Sequence, residues 1–134
     1  MIHTYGYAST GNSWREVSGG TNGNRRVASE HSERQIWRQL RSYAPPALIV
    51  QNAFPCRVCD EYFLAESRNG EAIIIKVTDN QGQYSRDLNL SARASVPSIM
   101  YYWRGECHMV GLYSRSAGYA PSGFPAHGDF DYIE

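Results

Sequence analysis

Two short motifs, set apart along the chain, constrain this fold most: His31-Ser32-Glu33 and, beyond an apolar run, Pro55-Cys56-Arg57-Val58-Cys59. Any fold that uses both must bring the starts of two separate segments to one point. One imidazole and two thiols leave the fourth position of a tetrahedral zinc open, the arrangement of a catalytic rather than a structural site. Glu33 is not needed as a ligand and can carry protons to and from a water held there. A lone C-x-x-C also occurs in redox sites and in structural zinc half-sites. A closed structural site would need a further ligand from Cys107-His108, and a redox dithiol would leave the His-x-Glu unexplained.

The local sequence predicts where each half sits. Ser29 suits an N-cap, which places His31 and Glu33 in the first turn of a helix. Ile36, Trp37 and Leu40 continue it as an apolar stripe, with Arg34, Arg38 and Arg41 on the other side. The helix should end near Ser42-Tyr43, ahead of Pro45 and Pro46. Ala47 to Phe54 reads as a buried strand. Pro55 suits the first position of a second helix, so Cys56 and Cys59 fall in its first turn, facing the same way. Helix N-termini favour negative charge and so stabilise both thiolates.

Downstream, the second helix runs to about Ser67 and Arg68-Asn69-Gly70 is a turn signal. Glu71 to Thr78 is the clearest strand, and Asp79-Asn80-Gln81-Gly82 leads into a returning strand from Tyr84 to Leu90. So short a connection joins antiparallel neighbours. Ile2 to Ala8 and Trp14 to Ser18 are weaker strands that complete a small mixed sheet. The expectation is an α/β fold in a single domain over residues 1–134, with a core of useful size. No apolar run reaches transmembrane length and no signal peptide opens the chain. Three cysteines, two of them assigned to metal, argue for a reducing compartment. Residues 19–24 and 114–128 read as loops, the second long enough to be a flap or tail.

The formal net charge is zero, but its distribution is uneven. Lys76 is the only lysine; the other twelve basic residues are arginine, which suits planar stacking and bidentate phosphate contacts. A GC-rich genome would give the same bias. Up to Arg57 there are seven arginines against three acids. A single strand of nucleic acid needs a basic track and aromatic platforms, for which Arg25, Arg26, Trp14, Tyr101, Tyr102 and Trp103 are candidates. Core packing is the competing role for each aromatic.

The H-x-E…P-C-x-x-C pattern resembles the cytidine and nucleic-acid deaminase superfamily. The resemblance covers about residues 29–90 and hardly reaches the two ends. It implies a three-layer fold: a mixed sheet of about five strands flanked by helices, with the last two core strands antiparallel. It implies zinc held by His31, Cys56 and Cys59, lowering the pKa of a water to about 7, and Glu33 as the proton carrier. Substrate contacts would come from Ser32 and Phe54 through their main chains, from an asparagine ahead of the motif (Asn22 or Asn24), and from Trp103.

Free-cytidine enzymes usually have cysteine in place of this histidine. The AID/APOBEC group has Ser-Trp-Ser where this chain has Asn52-Ala53-Phe54. Plant organelle editing domains carry histidine where Asp60 stands. The closest likeness is to deaminase domains of bacterial polymorphic toxins. The expected reaction is cytosine to uracil in single-stranded nucleic acid, DNA before RNA; the alternatives are a free nucleoside or nucleotide deaminase, an RNA-directed enzyme, or a non-catalytic zinc-stabilised module. The likeness also implies a secreted effector domain delivered into a target-cell cytoplasm, or otherwise a cytoplasmic protein. It implies a monomer, a cognate immunity protein as partner, and no membrane association.

Overall fold

The computed structural model describes residues 2–19, 31–79, 97–110, 120–130 and 132–133. In chain order the elements are β1 (Thr4–Ser9), β2 (Trp14–Ser18), α1 (Ser32–Leu40), β3 (Ala47–Gln51), α2 (Arg57–Arg68), β4 (Ile73–Val77), β5 (Ser98–Trp103) and β6 (Glu106–Val110). The strands form one sheet in the order β2-β1-β3-β4-β5-β6. β3 and β4 are buried at every position, which their aliphatic, β-branched sequences permit, and so they take its centre. They run parallel, joined by α2 as the crossover, and every other neighbouring pair is antiparallel.

Both helices lie on one face. Ile36, Trp37 and Leu40 of α1 and Phe63 of α2 pack on Ala47, Ile49, Ile73, Ile75, Val77, Met100 and Tyr102. α1 comes closest at Gly6 of β1, where a Cβ would stand 2.6 Å from Ile36 Cγ2. The opposite face is a second core: Leu48, Val50, Ile74, Ile99 and Tyr101 lie beneath Phe130 and Ile133 of the C-terminal segment. That segment is held by its backbone carbonyls. Trp14 Nε1 donates to Gly128 O at 3.0 Å, and the buried Lys76 Nζ donates to Phe130 O at 3.1 Å and to Ile133 O.

The mixed sheet with antiparallel final strands is therefore present, with six strands rather than five. Among the described residues its third layer is the C-terminal segment, not a helix. α1 begins one residue after His31, which is itself the N-cap, and Ser29 lies outside the described residues. β3 stops at Gln51 rather than Phe54: Asn52 still donates its N to His3 O at 3.3 Å, but its side-chain Oδ1 accepts from His3 N at 2.7 Å. Pro55 precedes the N-cap Cys56 instead of opening α2. The expected returning strand at residues 84–90 lies outside the described residues; β4 takes its antiparallel partner from β5. No helix among the described residues is long and apolar enough to cross a membrane.

Candidate metal centre

β3 delivers the chain to α2 at its C-terminal end, and α1 starts at the same end of the sheet. His31 caps α1 only through its backbone carbonyl, which accepts from Arg34 N and Gln35 N at 3.0 Å each. Its ring is thereby left to reach the other helix. Nδ1 lies 3.2 Å from Cys59 Sγ and 3.5 Å from Cys56 Sγ. Cys56 caps α2, its sulfur accepting from Cys59 N at 3.5 Å, so the helix N-terminus faces the thiol. The three ligand atoms all lie within 4.8 Å of one another.

A metal ion fits this group. Around a tetrahedral zinc with Zn–S near 2.3 Å and Zn–N near 2.0 Å, neighbouring N and S donors stand roughly 3.5 Å apart. The two Nδ1–Sγ separations, 3.2 and 3.5 Å, are of that size. The donor set suits a borderline-soft divalent ion and is compatible with zinc. Glu33 is 3 % exposed, its Oε1 stands 3.7 Å from His31 Nδ1, and that oxygen has no hydrogen-bond partner. A buried carboxylate oxygen left open beside three ligands can take a proton from whatever is bound there.

The electrostatics favour one anionic sulfur. A hydrogen bond from the Cys59 thiol, chiefly, holds Cys56 down to about 6, against burial and the charge of Glu33. The same hydrogen bond, burial and Glu33 push Cys59 far up. The pair carries a thiolate on half-buried Cys56 and a thiol on fully buried Cys59, until a cation displaces the shared proton.

Neighbouring side chains hold the two helix starts in place. Asp60 accepts from Tyr102 OH at 2.6 Å, pinning the first turn of α2 to β5. Burial raises both Asp60 and Tyr102, and Cys107, half-buried opposite Tyr102, is pushed up to about 12 by burial and then by Asp60. On the α1 side, Thr4 Oγ1 lies 2.7 Å from Ser32 Oγ and 3.1 Å from Gln51 Oε1. These supports had no signal in the motifs; Thr4, Gln51 and Tyr102 become neighbours of the centre only through strand register.

The expected ligands and Glu33 come together; the expected substrate contacts do so unevenly. The Ser32 side chain is buried and turned to Thr4, so only its main chain remains for a ligand. Phe54 is buried in the same core as Cys59. Asn22, Asn24, Arg25 and Arg26 lie outside the described residues. Trp103 is not at the centre. Register places it beyond the Ile73↔Tyr102 pair, at the end of the sheet opposite the Gln51↔Val77 pair. Its ring sits on the C-terminal-segment face against Phe124, with Nε1 donating to Ser122 O at 3.3 Å. Tyr101 and Tyr102 are fully buried, and Trp14 packs on His127 and Phe130, so these aromatics serve packing. Compared with protein-family models, curated proteins and solved structures, the chain matches none of them.

Proposed function

We propose that this protein is a zinc-dependent hydrolytic deaminase that converts cytosine to uracil in single-stranded nucleic acid, DNA before RNA. The observation that carries this reading is Glu33: a buried carboxylate oxygen without a partner, 3.7 Å from the imidazole that completes the ligand group. A structural metal site has no use for it.

His31 Nδ1, Cys56 Sγ and Cys59 Sγ hold the metal, and Asp60–Tyr102 and Thr4–Ser32 keep the two helix starts at the right separation. Zinc, when bound, supplies the Lewis acidity that makes water nucleophilic near neutral pH. Glu33 Oε1 takes the proton that water releases, passes it to the ring nitrogen of the base, and assists departure of the exocyclic amine as ammonia. Water and cytosine are consumed, uracil and ammonia are produced, and Glu33 is regenerated. A base in a duplex would have to be unpaired first, at a few kcal/mol, which favours single strands. The motif likeness extends the reading to a bacterial toxin domain, monomeric, delivered into a target cell and neutralised by an immunity protein.

The test is a deamination assay on matched single-stranded DNA, duplex DNA, RNA and free cytidine, with Glu33→Ala as the blank. Conversion confined to single-stranded substrates supports the reading. Turnover of free cytidine alone moves the protein to nucleotide metabolism. No conversion of any cytosine by a metal-loaded chain overturns the reading.

A further inference from the structure

α1 and α2 both start at the metal centre, and side chains join them again, turn by turn, beyond it. One turn past His31 in α1 stands Arg34, and one turn past Cys59 in α2 stands Tyr62. The Arg34 guanidinium lies over the Tyr62 ring, its Cζ 3.9 Å from the centroid. A further turn along, Trp37 Nε1 donates to Glu66 Oε1 at 3.0 Å, and Arg41 Nη1 stands 3.4 Å from the same oxygen. Tyr62 OH also donates to Glu66 Oε1, at 2.8 Å, and so ties these contacts into one ladder. The proposed chemistry uses none of these residues. At the open end of the ladder stand His31 Nδ1 and the two sulfurs, at the 3.2 and 3.5 Å separations that suit a tetrahedral ion.

Each helix has its own seat on the sheet. α1 packs on β1, β2 and β3, whereas α2 packs on β5 and β6, with β4 between the two seats. Sheet packing therefore fixes each helix against its own strands and fixes the spacing between them only through β4. The cross-helix contacts act on that spacing directly. Arg34 is placed for the ring rather than for hydrogen bonding: its Nε is buried without a hydrogen-bond partner, an arrangement that costs free energy. Glu66 braces the ring. Against burial, hydrogen bonds from Trp37 and Tyr62, then the charges of Arg41 and Arg34, hold its carboxyl below the usual range, so it stays an acceptor at neutral pH.

We propose that Arg34 and Tyr62, braced by Glu66, are positioning residues: their stack sets the spacing of the two ligand-bearing helix starts, so that an incoming metal meets a formed site. The proposal rests on the reading of His31, Cys56 and Cys59 as a metal centre, and it holds whichever base or nucleoside is the substrate. A site formed in advance binds more tightly, because the ion does not have to order its ligands. The stack acts through geometry and against charge. A guanidinium one turn from the ligands repels a cation, so removing it should tighten metal binding if charge alone mattered.

The test is zinc affinity, measured on the full chain by competition with a chromophoric chelator. Urea midpoints of the chelator-treated protein confirm that each variant is folded under the assay conditions. A cation–π contact at a half-buried site is worth about 1–2 kcal/mol. Arg34→Met should therefore weaken zinc binding by about 5- to 30-fold, the same free energy expressed as an affinity ratio. Tyr62→Ala should do the same, and the double variant should lose no more than the larger single loss. Tyr62→Phe keeps the ring and should recover most of the affinity. If Tyr62→Ala fails to fold, Arg34→Met carries the test, since Arg34 is only half-buried. Zinc affinity unchanged or tightened in Arg34→Met overturns the positioning role and leaves the metal-centre reading standing. So does a loss that Tyr62→Phe shares in full. A parent chain that takes up no zinc overturns the metal-centre reading and this proposal together.

Discussion

Glu33→Gln separates a proton carrier from a structural acid, because the two roles predict opposite signs. Glu33 is 3 % exposed, and its Oε1 is buried without a hydrogen-bond partner, beside a Cys56 thiol held down to about 6. An unpartnered buried acceptor costs about 1–3 kcal/mol, and the like charge on Cys56 adds to it in the metal-free chain. Glutamine keeps the volume and removes the charge, but its own amide also needs partners, so the net gain falls at the low end, about 1 kcal/mol. For a chain of this size that is roughly 3–5 °C in Tm. The metal-free variant should therefore melt higher than the parent in matched chelator-treated scans. Its metal content after zinc loading and desalting should equal the parent's. Cytosine conversion should drop by about 10²–10⁴-fold, the usual contribution of a positioned acid–base group. A variant that melts lower, or that loses the metal, would refute the reasoning, since Glu33 would then be a support or a ligand.

Three further outcomes can be measured directly. Cys59→Ser should abolish zinc binding, whereas zinc at a hundredfold excess over Kd should stabilise the parent by about 2.7 kcal/mol; isothermal titration and melting with and without chelator check both. In metal-free protein, alkylation of Cys56 should rise with a midpoint at about pH 6, while Cys107, pushed up to about 12, stays unreactive at neutral pH. Because the folded value of Cys56 lies below its ordinary 9.0, its contribution to stability is complete above that value and is lost as pH falls through about 6. Urea midpoints across that range give the sign, and a midpoint of alkylation between pH 8 and 9 would contradict the described cap. Gly6→Ala would set a Cβ 2.6 Å from Ile36 Cγ2 and 3.1 Å from Leu40 Cδ1. It should cost about 1–3 kcal/mol by overpacking, seen as a lower urea midpoint with the slope unchanged.

Local chemistry wrote much of this molecule into the chain. The apolar stripe Ile36, Trp37, Leu40 fixes which side of α1 is buried, and the runs Ala47–Gln51 and Ile73–Val77 are central strands because all but Gln51 and Lys76 in them are aliphatic. β1 and β2 were legible only as weaker strands, and both are present. The ligand set was legible too, because residue types and spacing alone limit which metals and which reactions such a group can serve. Where the reading slipped, the cause lay in long-range contacts. β3 ends at Gln51, where the Asn52 side-chain Oδ1 accepts from His3 N, far upstream in the chain. The segment Ser98–Trp103, read for its aromatic rings, is a core strand because β4 needs an antiparallel neighbour. Trp103 is excluded from the metal centre by register, which no local pattern encodes.

Composition and spacing thus determined what this chain can bind and which residues are equipped to do it. Only the tertiary structure decided that His31 Nδ1 stands 3.2 Å from Cys59 Sγ, that Glu33 Oε1 is left without a hydrogen-bond partner, and that Tyr102 reaches Asp60 at the start of α2. The physical reason is that ligand identity is a property of side chains, whereas distance, desolvation and unmet hydrogen bonds exist only between segments that packing has brought together.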